Sequence, residues 1–191
     1  MSERARFLER LVQLLDRAGI PAMVSGSLAS SFHGQPRTTN DVDLVIAPTP
    51  EQLETFLAAV GADYYVSPEA ARQALRDCGL FNVIDGRSGW KADFILRKNR
   101  PFSAEEFGRR RPAEIMGVRV HVASPEDVVL SKLEWARGSG SERQLRDAAG
   151  VIAVQGAALD REYLAGWAKQ LGVEDLLKQA GAQAEKSQPS A

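Results

Sequence analysis

Apolar and polar positions alternate along this chain in patterns that predict a mixed fold. Between Ala5 and Ala18, apolar side chains recur at helical spacing, which predicts one amphipathic helix that ends before Gly19. The run AMVS after Pro21 predicts a first strand, and residues 27–32 are expected to form a short helix. Later apolar runs predict strands at 42–47, 80–84, 90–96 and 118–122.

Helix starts are marked by cap residues followed by proline. Thr49-Pro50, Ser67-Pro68 and Ser124-Pro125 each place a hydroxyl cap before a proline at the first helical position. Helical spacing then predicts helices at 125–136, at 142–154 and from 160 into the region of Leu176. The predicted fold class is α/β (α+β): a small mixed β-sheet flanked by helices, followed by a helical C-terminal region.

This order of elements also predicts the domain organisation. Residues 1–123 are expected to form the sheet-containing core domain, and residues 124–181 a helical region packed on that core. The stretch at 182–191, AQAEKSQPSA, has no apolar periodicity and is expected to be a disordered tail.

Composition excludes several classes of protein. With 191 residues, 44% hydrophobic and 26% charged, the chain is ordinary for a globular protein, and its net charge of −1 provides no global basic field for nucleic acid. The single cysteine excludes a disulfide framework. No secretory signal and no window long enough for a membrane span is recognised, so the expected location is the cytoplasm, with no membrane partner.

Two aspartates interrupt an otherwise apolar strand. Asp41 and Asp43 flank Val42 and precede the run LVI, and residues two apart on a strand point to the same face. Two carboxylates so placed repel each other unless a cation lies between them, and Mg²⁺ prefers carboxylate and phosphate oxygens. A metal-binding pair is therefore favoured over a solvated turn.

A third carboxylate and a Gly-Ser step extend this pattern. Asp93 lies in WKADFIL, and if its strand neighbours that of Asp41 and Asp43, three carboxylates converge as in a two-metal site, although Asp93 could also be a surface residue on an edge strand. Gly26-Ser27 precedes a predicted helix, whose N-terminus favours phosphate. A plain serine cap is the alternative interpretation.

The order Gly26-Ser27, then Asp41-Val42-Asp43, then Asp93 resembles the signature of the nucleotidyltransferase superfamily related to DNA polymerase β. Within it the chain is similar to AbiEii/MenT-type nucleotidyltransferases, the catalytic toxins of some bacterial toxin–antitoxin and phage-defence systems. That group adds a helical lysine and a basic helix, where Lys132, Arg143 and Asp147 stand here. The family often shows Arg-x-Lys-Asp-x-x-Asp in this helix, and this chain has Gln144 in place of the first Asp.

The resemblance implies a Mg²⁺-dependent transferase of nucleoside monophosphate, with two metal ions and Mn²⁺ as a substitute. The implied metal ligands and catalytic residues are Asp41, Asp43 and Asp93, with Asp93 helping to deprotonate the acceptor hydroxyl. The implied nucleotide-binding residues are Gly26, Ser27 and Lys132, while Arg37 is placed by sequence in a loop from which it could reach a phosphate. The acceptor would be tRNA, a protein or a small molecule such as an aminoglycoside, and a cognate antitoxin is a further expected partner.

Structural roles compete with these assignments. Lys132 could be a surface lysine on an amphipathic helix, and Asp147 could pair with Arg143 one turn away. At the level of the whole chain, the alternatives are a catalytically degenerate member that binds nucleotide or a partner protein without turnover, and a purely structural α/β domain.

Overall fold

The computed structural model describes residues 2–39 and 41–187, which contain nine α-helices and seven strands. The strands are β1 Ala22–Val24, β2 Asp41–Ile46, β3 Tyr64–Val66, β4 Leu80–Asp85, β5 Lys91–Leu96, β6 Arg111–Ile115 and β7 Val118–Val122. The helices are α1 Glu3–Arg17, α2 Gly26–His33, α3 Pro50–Ala59, α4 Pro68–Asp77, α5 Pro101–Gly108, α6 Pro125–Ser139, α7 Glu142–Gln155, α8 Arg161–Leu171 and α9 Glu174–Ser187. A single 3₁₀ turn, Gly156–Ala158, follows α7.

The chain divides into two compact units. The first extends up to Ser25 and from Thr39 to Val122, and the second contains 26–38 and the chain from Ala123 onward. The sequence places the short helix after the first strand in the sheet domain, whereas in the structure it belongs to the helical unit. The mixed α/β class predicted from sequence is confirmed.

All seven strands lie in the first unit and form one mixed sheet in the order β3-β4-β5-β2-β1-β7-β6. The pairs β2–β5 and β1–β7 are parallel, and the other neighbouring strands are antiparallel. Strands β2 and β5 are neighbours in the interior of the sheet and run in the same direction. Residues that the parallel register pairs therefore lie side by side.

An aromatic cluster fills the core of the first unit. Phe56 of α3 packs against Phe81 and Phe94, which stack on each other at a centroid distance of 5.1 Å. Each ring is almost fully buried, which stabilises the fold by roughly 1.5–3 kcal/mol per side chain. Helix α1 contacts α3 and β7 through its apolar face. The predicted periodicity of this helix is confirmed, because Leu8 and Leu11 are fully buried.

The second unit is entirely helical, and α2 lies against α6 and α7 within it. The contact between α2 and α7 is close at Gly34, because a Cβ there would lie 2.7 Å from the backbone nitrogen of Val151. Helices α6 and α8 are joined by a partly buried hydrogen bond from the Tyr163 hydroxyl to Oδ1 of buried Asp127, at 2.6 Å.

Local sequence explains the helix starts. Thr49 and Gln52 form a reciprocal capping box, and Ser67 and Ser124 each accept a hydrogen bond from the backbone of the first turn, as predicted. The C-terminal prediction needs correction, since α9 continues through Ser187 and buries Ala184. The expected disordered tail therefore does not include 182–187, and its remainder, residues 188–191, lies outside the described residues.

None of the helices in the described part of the chain combines the length and apolar character that a membrane span requires.

Candidate active site

Strand β2 separates apolar from acidic side chains by simple alternation. Val42, Leu44 and Ile46 are buried almost completely, whereas Asp41 and Asp43 are only partly buried on the opposite face. The prediction that both aspartates share one face of a strand is confirmed. The carboxylates remain accessible, and the apolar residues between them provide the burial that holds the strand in place.

Strand β5 brings the third aspartate to the same face. In the parallel register Asp43 lies directly opposite Asp93, and Asp41 lies opposite Lys91. Residues paired across neighbouring strands project to the same side of the sheet. We call Asp41, Asp43 and Asp93 the carboxylate face, because the structure places these three predicted residues together.

Lys91 is a member of this site that the sequence analysis did not identify. Its Nζ lies 3.1 Å from Asp93 Oδ1 and 3.8 Å from Asp41 Oδ1. Burial lowers the pKa of Lys91, but the hydrogen bond to Asp93 and the charges of Asp93, Asp41 and Asp43 outweigh it and raise the pKa above its usual value. All three carboxylates thus act on one ammonium group. The sequence does contain a signal for Lys91: it lies two residues before Asp93 in the same predicted strand, and residues two apart on a strand share one face.

Asn82 supports Asp93 from the other side. It lies opposite Asp93 in the antiparallel pair of β4 and β5, and its Nδ2 donates a hydrogen bond to Asp93 Oδ1. The Asp93 carboxylate, whose side chain is 20% exposed, is therefore held by both Asn82 and Lys91. The sequence offered no signal for Asn82, because its role depends on the register of two strands.

The donor chemistry of the carboxylate face fits a hard divalent cation. It presents only carboxylate oxygens, which Mg²⁺ and Mn²⁺ prefer. Within 2–39 and 41–187, no three His, Cys, Asp or Glu side chains are already gathered around a common metal position. The aspartates instead surround Lys91, so a cation that binds them competes with the Lys91 ammonium for the same oxygens.

Only Ser25 separates the end of β1 from Gly26, which begins α2, and this confirms the predicted order of strand, Gly-Ser step and helix. The backbone of Gly26 has φ +57°, a conformation that L residues other than glycine rarely adopt. Glycine therefore allows the abrupt turn from strand to helix and leaves Ser27 in the first turn of α2.

The second unit gathers four predicted residues into one network, the ion-pair cluster of Ser27, Arg37, Lys132 and Asp147. Arg37 donates to both oxygens of Asp147 through Nε and Nη2, each at 2.9 Å. Lys132 Nζ donates to Asp147 Oδ2 at 2.8 Å. The Ser27 hydroxyl accepts from Arg37 and from Lys132, the latter at 3.4 Å. The cluster therefore joins the first turn of α2 to both α6 and α7.

The structure decides between the competing interpretations of this region. Lys132 is buried, so the interpretation as a surface lysine is wrong. Asp147 pairs with Arg37 and Lys132 rather than with Arg143, which is exposed. Burial raises the pKa of Asp147, but hydrogen bonds and charges from Arg37 and Lys132 outweigh this and hold the pKa below its usual value. The cluster thus carries two cations on one carboxylate.

Comparison with known proteins supports the fold assignment. No protein-family model matches the chain, and no curated protein is significantly similar to it. Among solved structures, the chain is similar to a crystal structure of an antigenic nucleotidyltransferase-like protein from Paracoccidioides brasiliensis, with a TM-score of 0.58 and 19% sequence identity. The match covers 92% of this chain and 90% of that protein's chain.

The antibiotic-resistance factor ANT(2'')-Ia matches in two structures. Its solution structure has a TM-score of 0.56 at 14% identity, covering 90% of this chain and 95% of its own. Its crystal structure with adenylyl-2''-tobramycin has a TM-score of 0.57 at 15% identity, covering 95% and 99%. These similarities establish a nucleotidyltransferase-like fold. The finer AbiEii/MenT assignment stays a prediction.

Proposed function

We propose that this chain transfers a nucleoside monophosphate from a nucleoside triphosphate (NTP) to a hydroxyl acceptor. The observation that carries the proposal is the carboxylate face, in which Asp43 lies opposite Asp93 and Asp41 lies two residues away on the same side. A purely structural domain has no need for three carboxylates on one side of two central parallel strands. The nucleotidyltransferase-like fold of the solved neighbours agrees with this reaction.

Asp41, Asp43 and Asp93 would hold divalent cations, Mg²⁺ or Mn²⁺. When bound, such ions neutralise phosphate charge and favour attack at the α-phosphorus. The protein contributes the arrangement of the carboxylates, which the parallel register of β2 and β5 fixes. Lys91 contributes a positive charge that lies within ion-pair distance of both Asp41 and Asp93.

The reaction conserves atoms and electrons in a single displacement. The acceptor oxygen forms a bond to the α-phosphorus, while the bond from that phosphorus to the oxygen bridging the β-phosphate breaks and pyrophosphate leaves. We assign the acceptor proton to the Asp93 carboxylate. Asn82 and Lys91 orient this carboxylate through their hydrogen bonds, so its position does not depend on the acceptor.

The ion-pair cluster has the chemistry of a phosphate-binding site. Arg37 and Lys132 provide guanidinium and ammonium donors, and Ser27 provides a hydroxyl in the first turn of α2. We propose that these residues and the Gly26 backbone contact the phosphates of the NTP. Asp147 then acts as a positioning residue, because it fixes both cations before phosphate arrives. Arg143 is exposed and lies outside the ion-pair cluster, so we assign it only an accessory role in nucleotide binding.

The acceptor defines three versions of the proposal. The resemblance to AbiEii/MenT-type toxins favours a tRNA end, and a cognate antitoxin would then be a partner. The similarity to ANT(2'')-Ia, solved with an adenylylated tobramycin, favours a small-molecule hydroxyl. A protein hydroxyl is the remaining acceptor class.

The test is a transfer assay with each α-labelled NTP, MgCl₂ and, separately, total RNA, bacterial protein extract or an aminoglycoside. The matched variants are Asp43→Asn and Asp63→Asn, since Asp63 is an exposed aspartate that pairs with Arg87. We expect the wild type and Asp63→Asn to label one acceptor class and Asp43→Asn to label none. Tight NTP binding without labelling would favour a degenerate binder, and neither binding nor labelling would refute the proposal.

A further inference from the structure

Arg4 has hydrogen-bonding capacity that the protein does not use. It lies in the first turn of α1, and its Nε and Nη2 atoms are buried without a hydrogen-bond partner among the described residues. Burying a donor without a partner costs free energy, and the cost is larger when the donor is charged. A cation at this end of a helix is also disfavoured by the helix dipole. These two buried donors of Arg4 therefore carry an unfavourable free energy that a bound oxyanion would remove.

The two unpartnered atoms have a specific geometry. Nε and Nη2 form one edge of the guanidinium, and this edge donates two parallel hydrogen bonds to a single phosphate or carboxylate group. The guanidinium lies over the ring of Trp90, 5.6 Å from its centroid. Nε and Nη2 form no hydrogen bonds within the described residues. The guanidinium can therefore turn toward a bound oxyanion without breaking a hydrogen bond of either atom.

Arg4 lies near the carboxylate face. Trp90 directly precedes Lys91, which is paired with Asp41 across the two parallel strands. Burial lowers the pKa of Arg4, and the negative charge of Asp41 opposes this effect. All these residues belong to the first unit.

We propose that Arg4 and Trp90 form a phosphate subsite beside Asp41, in which the Arg4 guanidinium binds one phosphate group through two hydrogen bonds. Phosphate is preferred to carboxylate because the inference rests on the proposed function, whose substrates carry phosphate. The phosphate belongs either to the NTP or to an RNA acceptor, and both present the same oxyanion. A polycationic aminoglycoside offers no group for this subsite.

The test measures binding without turnover, so it does not depend on catalysis. The probes are an NTP in MgCl₂ without acceptor, and a short single-stranded RNA without NTP, each titrated by calorimetry. The variants are Arg4→Met, which keeps the apolar stem, Arg4→Lys, which keeps the charge, and Arg6→Met, a control at an exposed arginine two positions along the same helix.

We expect Arg4→Met and Arg4→Lys to weaken the binding of one probe about tenfold or more, because neither side chain can donate two parallel hydrogen bonds to one phosphate. The probe that responds identifies the source of the phosphate, and Arg6→Met leaves both unchanged. We also expect Arg4→Met to unfold at the same or a higher temperature than the wild type, because it removes two unpartnered buried donors. A structural role would instead lower this temperature.

Three results would overturn the subsite: unchanged binding of both probes in Arg4→Met, full affinity in Arg4→Lys, or no binding of either probe by the wild type. None of them by itself removes the proposed transfer reaction, which the labelling assay tests with Asp43→Asn. Loss of labelling activity in Asp43→Asn with normal probe binding in Arg4→Met would keep the function and reject the subsite.

Discussion

Asp43 of β2 lies directly opposite Asp93 of β5 in the parallel register of the two central strands. Parallel strands are usually covered on both sides and carry continuous apolar sequence. Here one side is apolar throughout, whereas the other presents the three carboxylates and Lys91 in the first half of the strands and becomes apolar only at the paired Val45 and Ile95. This departure from the usual pattern of parallel strands indicates a chemical role for the polar side.

Asp93→Asn removes the group to which we assign the acceptor proton and keeps its shape. Asparagine retains a hydrogen-bonding oxygen for Asn82 or Lys91, so we expect the unfolding temperature to stay close to that of the wild type. We expect the transfer rate to fall about a thousandfold, since both a proton acceptor and a cation ligand are lost. Asp63→Asn is the matched control, and more than a tenth of wild-type activity in Asp93→Asn would refute the assignment.

Lys91→Gln tests the competition between the ammonium group and a divalent cation. Because Lys91 draws on the oxygens of Asp41 and Asp93, its removal should raise the affinity of the carboxylate face for Mn²⁺ by about tenfold. Calorimetric titration with MnCl₂ measures this change. Lys98→Gln, at an exposed lysine on the same chain segment, is expected to leave the affinity unchanged. Equal affinities in the two variants would show that Lys91 does not compete.

Asp147→Asn tests the ion-pair cluster. The substitution leaves buried Lys132 and partly buried Arg37 without their shared carboxylate, and breaking a buried pair in this way costs about 3 kcal/mol. Urea unfolding measures the loss. Glu54→Gln is the control, because Glu54 pairs with Arg72 on the surface, where the ion pair is screened and its removal should change stability little. Equal losses in the two variants would argue against a buried network.

The same cluster predicts a pH dependence. Asp147 has a folded-state pKa below its usual value, so its charged form stabilises the fold above the unfolded-state pKa of about 3.9. This contribution is lost as the pH falls through the lower, folded-state pKa. The difference in unfolding free energy between the wild type and Asp147→Asn should therefore be constant near neutral pH and shrink below about pH 4. A difference that grows toward acid pH would contradict the sign of the shift.

Gly34→Ala tests the close contact between α2 and α7. The added methyl group would lie within 2.9 Å of backbone atoms of Gly150 and Val151, which cannot move as a side chain can. We expect a loss of about 1–3 kcal/mol in unfolding free energy. Gly166→Ala places the same group in open space on α8 and should stabilise the protein by about 0.5–1 kcal/mol. Similar effects of both changes would show that the contact is loose.

Elements with strong local signals were predictable from sequence. The capped helices α3, α4 and α6 begin where their cap residues predict, and β7 has its predicted bounds. Strands β3 and β6 and helix α5 were not predicted, and the single helix predicted from 160 into the region of Leu176 is divided into α8 and α9. Strand β3 has three residues and no buried side chain, and β6 contains Pro112 and exposed polar residues, so their pairing partners rather than their own pattern define them.

The candidate site was predictable to a similar extent. The same-face placement of Asp41 and Asp43 follows from the period of a strand and is confirmed. The approach of Asp93 required a guess about strand order, which the parallel pairing supports. Lys91, Asn82 and the pairing of Arg37 with Asp147 depend on contacts between residues distant in sequence or on register, which no local pattern encodes.

The placement of α2 has a consequence for how the chain folds during synthesis. Helix α2 is made early, yet its packing partners α6 and α7 begin only after Pro125. At translation rates of about 5–20 residues per second, α2 waits several seconds for the surface that buries Leu28 and Ala29. During this interval its apolar side lacks its native partners, so we expect α2 to reach its final packing only after α6 and α7 have been synthesised.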